Sequence, residues 1–143
     1  MAELNIQMKL VSVNEVSFMM AQSKAGEDFD PATMQMGFTS QVQPDVEKDI
    51  FALVFGVRYD VAGETVLESI YKFVFEVKDL KQFVVFNDDK SVTVNHIMPH
   101  LLNVAVGTMR GILVVKTAGT VLSKFPLPMI DVARLNTILS TSR

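Results

Sequence analysis

Residues 51–77 read FALVFGVRYDVAGETVLESIYKFVFEV. Phe51, Leu53, Phe55, Val57, Tyr59 and Val61 are apolar at every second position. Beyond Ala62–Gly63–Glu64, Leu67, Tyr71, Phe73, Phe75 and Val77 share one parity again. A period of two sends alternate side chains to opposite faces of a strand. Two such runs across a short glycine turn predict an antiparallel hairpin with one apolar face.

Upstream, Leu4, Ile6, Met8 and Leu10 alternate with Asn5, Gln7 and Lys9. The pattern blurs at Val11 to Val13 and resumes at Val16, Phe18 and Met20, so a bulge or bend is expected near Ser12 to Asn14. Residues 38–61 make the next extended region, interrupted by Pro44 and the polar run Asp45 to Asp49. Between the two lies AQSKAGEDFDPATMQMG, residues 21–37. Gly26, Asp28, Asp30, Pro31 and Gly37 mark it as a long loop. Long loops in small domains tend to be functional or mobile. This one carries Phe29, Met34 and Met36, which are costly to leave in water.

Downstream, Phe83 to Phe86 is a short apolar piece, and Asn87 to Lys90 is a polar break. From residue 93 to 118 alternation stops, and a helix is expected. Ile97, Leu101, Val104, Thr108, Ile112 and Val115 follow helical steps, as do Met98, Leu102, Ala105, Met109 and Leu113. The apolar face is therefore unusually wide. Pro99 suits the first turn, and Gly119 is a stop signal. Asp131 can cap a last short helix in which Val132, Leu135, Ile138 and Leu139 share a face. Strands first and helices after define an α+β fold: an antiparallel sheet, a long covering helix and a short C-terminal helix.

The chain has 143 residues, 49% hydrophobic and 20% charged, which suits one ordered domain. It has no Cys, so disulfides, thiol nucleophiles and Cys-based metal sites are excluded, and a reducing cytoplasm fits. The N-terminus has alternating polarity and not the layout of a signal peptide. Net charge is -3, split between -7 over residues 1–92 and +4 over residues 93–143. Five spread basic residues in the second part are a weak footprint for nucleic acid, and none is expected as a partner.

No phosphate-loop, dinucleotide or nucleophile-elbow pattern is present, and no enzyme is expected. His96 and His100 have metal-ligand spacing, but no Asp or Glu lies between Asp89 and Asp131 to complete a site. They read as ordinary polar residues at a helix start, so no metal or other cofactor is expected. Asp88–Asp89 and Glu27–Asp28–Asp30 read as solvated turn formers. Arg110, Asn103 and His100 within the apolar helix argue against a membrane span. A second copy of the chain is the expected cover for the helix's outer side. Gly107 and Gly111, a Gly-x-x-x-Gly pair, allow close backbone approach there. With Arg110 they are the candidate interface residues of a homo-oligomer.

The stretch MPHLLNVAVGTMRGILVVKTAGTVLSKFPLPMIDVARL, residues 98–135, resembles the SecB family of export chaperones. There a Pro-containing apolar helix ends at a Gly, and an extended link leads to a Pro–apolar–apolar–Asn/Asp turn that opens a short helix. Pro99, Gly119 and Pro128–Met129–Ile130–Asp131 hold those places here. The resemblance implies a single SecB-like domain over residues 1–143, with a four-stranded antiparallel sheet covered on one face by the long helix. It also implies a homotetramer built as a dimer of dimers. The implied activity is that of an ATP-independent holdase for unfolded polypeptides. Clients would sit in an apolar groove between Met34, Met36 and Phe38 on one side and Phe125, Leu127 and Ile130 on the other. Typical members reach the translocase motor SecA through an extended C-terminal tail, whereas this sequence ends at Arg143. A shorter SecB-like branch serves other clients, including antitoxins. Export and antitoxin protection are both open on the sequence. The alternative is a non-catalytic adaptor of the same fold that binds one folded partner.

Overall fold

A computed structural model describes residues 6–21 and 31–140. Four long strands form one antiparallel sheet in the order β1-β4-β3-β2. They are β1 (Met8–Met20), β2 (Met34–Asp45), β3 (Ile50–Val61) and β4 (Glu64–Val77). A two-stranded ribbon follows, β5 (Val84–Phe86) paired with β6 (Val92–Val94). The long helix α1 spans Met98–Lys116, and a short helix α2 spans Val132–Ser140.

The central hairpin is β3–β4. Its register sets Phe51 opposite Phe75, Leu53 opposite Phe73 and Phe55 opposite Tyr71, so the aromatic rows share one face. That face is fully buried and carries the core. The turn is the two residues Ala62 and Gly63, both left-handed at φ 51° and 81°. This is the turn whose twist suits a tight hairpin. Glu64 already belongs to β4.

Strand β1 is bulged twice rather than once. Its register with β4 slips between Leu10 and Ser12 and again between Glu15 and Ser17. Val11 and Val16 are the extra residues, and both are exposed. Each bulge shifts the inward parity by one residue, so even-numbered Met8, odd-numbered Val13 and even-numbered Phe18 all pack on the core. The single bend expected from the sequence missed the second slip, because Val16 looks like a core residue by composition.

Strand β2 begins at Met34, four residues earlier than a loop through residue 37 allowed. Met34, Met36, Phe38 and Val42 pair across from Val61, Tyr59, Val57 and Leu53 and lie on the core side of the sheet. A Met-rich loop is thus corrected to a Met-bearing edge strand: β3 supplies hydrogen-bond partners that outweigh the weak local strand signal around Gly37. Pro44 is tolerated within β2 because β2 is an edge. Phe29 and the Glu27–Asp28–Asp30 cluster lie outside the described residues, as does Leu4.

Helix α1 lies across the aromatic face. It starts five residues later than expected, because residues 92–94 pair with β5 and His96 is left-handed at φ 69°. Met98, Leu102, Ala105, Met109 and Leu113, one of the two stripes, are all buried. The other stripe splits: Leu101 is buried, but Val104 and Val115 are exposed. A stripe displaced by one residue is rotated by about 100° and leaves the sheet as the helix proceeds. By length and composition α1 could cross a membrane, yet its inner stripe is packed into this core. Its far end is tied to β1. Lys116 Nζ lies 3.1 Å from Glu15 Oε1 and 4.9 Å from the Phe18 ring centre, and the Tyr71 hydroxyl donates to the same carboxylate at 2.9 Å. These two hydrogen bonds hold the Glu15 carboxyl below the usual carboxylate range.

Candidate functional site

Between β2 and the C-terminal segment lies a groove of about 610 Å³. One side is Met36, Gly37 and Phe38 of β2. The other is Met129 and Ile130 of the linker, with Leu135, Ile138 and Leu139 of α2. Asp131 and Arg134 are its charged residues. Two smaller depressions have a more polar lining, one over the outer sheet face at Gly56 and one at the sheet end around Lys9, Lys48 and Lys78.

Each wall follows from local sequence. Phe38 is held by stacking on buried Phe55, ring centres 6.2 Å apart and planes 19° apart. Pro126 and Pro128 keep the linker extended. Asp131 ends it by capping α2: its Oδ1 accepts from the amides of Ala133 at 3.1 Å and Arg134 at 3.3 Å. With α2 so started, Leu135 and Leu139 form a buried floor while Ile138 stays exposed on the rim. Met129 is 91% exposed.

The six apolar positions named from the sequence divide. Met36, Phe38 and Ile130 line the groove. Met34, half-buried, is the first residue of β2 and is not part of the lining. Leu127 is corrected to the core, at 3% exposure, since α1 and the sheet offer it a complete apolar shell. Phe125 is partly buried against that core, and its carbonyl accepts a 2.8 Å hydrogen bond from the Tyr59 hydroxyl. Burial of Tyr59 pushes its hydroxyl up to about 12, so it stays a donor. Sequence reading missed Met129, Leu135 and Ile138 as lining residues. The signal was present: the apolar face of α2 had no assigned partner.

Of the three candidate interface residues, Gly107 and Gly111 face open space on the outer side of α1, with nothing beyond their chain neighbours and the helix's own backbone within 4 Å of where a side chain would start. Val104, Val114 and Val115 flank them and are exposed. Arg110 has a contact within the protomer as well. It turns to the linker, donating from Nε to the Leu127 carbonyl at 3.0 Å and from Nη2 to the Pro128 carbonyl at 2.8 Å. Three residues after Gly107, it falls on the helix flank beside the glycine stripe. His96 and His100 are both exposed, and among the described residues no group of three His, Asp or Glu side chains converges.

A Mycobacterium tuberculosis SecB-like chaperone, Rv1957, solved in complex with a ChAD peptide from the Rv1956 HigA1 antitoxin, shares this architecture at a TM-score of 0.54. The match covers 87% of this chain and 91% of that one. The fold is SecB-like. Sequence identity to that chaperone is 11%, so the likeness is one of fold. No family model matches the chain, and no curated protein matches it by sequence. Within the SecB-like fold, the groove of this chain lies between the second strand and the C-terminal helix.

Proposed function

We propose that this protein is an ATP-independent holdase that keeps unfolded polypeptides from aggregating, an antitoxin-like client being favoured over export. The observation that carries the reading is the apolar groove beside an edge strand. Met36 and Met129 are unbranched and polarizable, which suits clients of varied sequence. The outer edge of β2 supplies backbone groups for an extended client. A SecB-like neighbour that holds an antitoxin peptide supports the same class of partner. No catalytic step is part of the reading. SecA is not required by it, and the cytoplasm is the proposed compartment.

The test is direct. The purified chain should suppress aggregation of a chemically unfolded protein at near-stoichiometric ratio without nucleotide, as read by light scattering. An adaptor of the same fold would bind one folded partner and leave the aggregation curve unchanged.

The outer face of α1 is proposed to be covered by further copies, giving a tetramer as a dimer of dimers. Because nothing surrounds Gly107 and Gly111, Gly111→Leu should leave the protomer fold intact and even favour the helix by up to about 1 kcal/mol. It should nevertheless lower the assembled mass by size exclusion with light scattering. An unchanged mass would remove this face from the interface.

A further inference from the structure

The linker wall of the groove has no regular secondary structure between residues 125 and 131, yet side chains fix its backbone at three carbonyls. Tyr59, buried on β3, holds that of Phe125 at 2.8 Å. Arg110, on α1, holds those of Leu127 at 3.0 Å and Pro128 at 2.8 Å. The Leu127 side chain is anchored in the core between them. Asp131 pins the far end by capping α2. The residues left between these anchors are Met129 and Ile130, the linker's contribution to the groove.

We propose that Arg110 is a positioning residue of the groove: its guanidinium fixes two successive linker carbonyls, so that Met129 and Ile130 stand as a formed wall before a client arrives. The proposal rests on the groove being the client site. The physical reason is the shape of the donor. A planar guanidinium presents two N–H groups at fixed spacing, whereas an ammonium is a single point. Residues 125–131 have no regular secondary structure, so no helix or sheet ladder partners the Leu127 and Pro128 carbonyls that Arg110 holds. If the guanidinium is removed, the linker samples arrangements in which the wall is absent. Apparent affinity then falls by the fraction of molecules still competent.

The test uses the full chain with Arg110→Ala, Arg110→Lys and, in parallel, Met129→Ser. The probe is a fluorescein-labelled synthetic peptide of alternating Leu and Ser, with Kd read by anisotropy. Order parameters of the backbone amides of Met129 and Ile130 come from NMR relaxation on the free protein. Arg110→Ala is expected to raise Kd about tenfold, as a competent fraction near one tenth requires. The order parameters should drop from about 0.85 to below about 0.6, with those of β3 and β4 unchanged. Arg110→Lys, which restores one donor, should fall between Ala and wild type on both readouts and carries the test if the Ala variant does not fold.

Wild-type affinity in Arg110→Ala overturns the proposal. So does lost affinity with linker order unchanged, or with β3 and β4 loosened equally, since that is a merely structural role. If Met129→Ser weakens binding while Arg110→Ala does not, the positioning role alone fails. If neither weakens it, the groove reading fails with it.

Discussion

The double variant Met129→Ser, Ile138→Ser is expected to fold and assemble as wild type and to bind unfolded clients on the order of 100-fold more weakly. Both side chains line the groove, and both are largely exposed in the free protein, Met129 at 91% and Ile138 at 57%. An exposed side chain contributes little to folding, so the urea midpoint should move by no more than about 0.5 kcal/mol equivalent. The same side chain gains about 1.5–3 kcal/mol when a client buries it, less ordering costs. Two together account for two or more decades in Kd, at about 1.4 kcal/mol each. The measurement is peptide anisotropy beside urea unfolding. Undiminished affinity in a folded double variant would remove the groove from client binding. Substituting Met36 and Phe38 is a poorer test, because both pack against the core and would mix binding with stability.

Phe55→Ala is expected to cost about 3–5 kcal/mol, a large share of a small domain's 5–15 kcal/mol. Phe55 is 0% exposed, at the centre of the β3 row. Its removal leaves a cavity that β3, paired on both sides, cannot close. It also takes away the ring on which Phe38 stacks at 6.2 Å. The folded fraction of this variant should therefore show weaker client binding as well, with one groove wall unsupported. Urea unfolding gives the first effect and anisotropy at low temperature the second. A loss below about 1 kcal/mol would show that the core repacks around the site.

Much of this architecture was written in period-two and helical patterns. The β3–β4 hairpin was legible residue by residue, because both strands bury one face completely and a register slip would expose every aromatic. The buried stripe of α1, the Asp131 cap and the short C-terminal helix were legible for the same kind of reason: burial or capping acts within one or two turns of chain. The SecB-like order of elements followed from these parts together.

What sequence could not decide was the fate of residues whose environment comes from far along the chain. Met34 and Met36 look like loop residues locally, and only β3 pairing makes them strand. Val16 has the composition of a core residue and is the extra residue of a bulge. Leu127 and Met129 are two apolar residues in one extended link, yet one is core and the other 91% exposed. Arg110 sits between two glycines of a bare helix face, and the tertiary fold turns it to carbonyls 17 and 18 residues away. The sequence by itself determined the β3–β4 hairpin, the existence of the two helices and the apolar faces they bury, because those depend on spacing along the chain. Tertiary structure alone decided which apolar residues meet to form the groove and which polar side chains hold it open, because side-chain hydrogen bonds and close packing are set by distances in space that spacing along the chain does not encode.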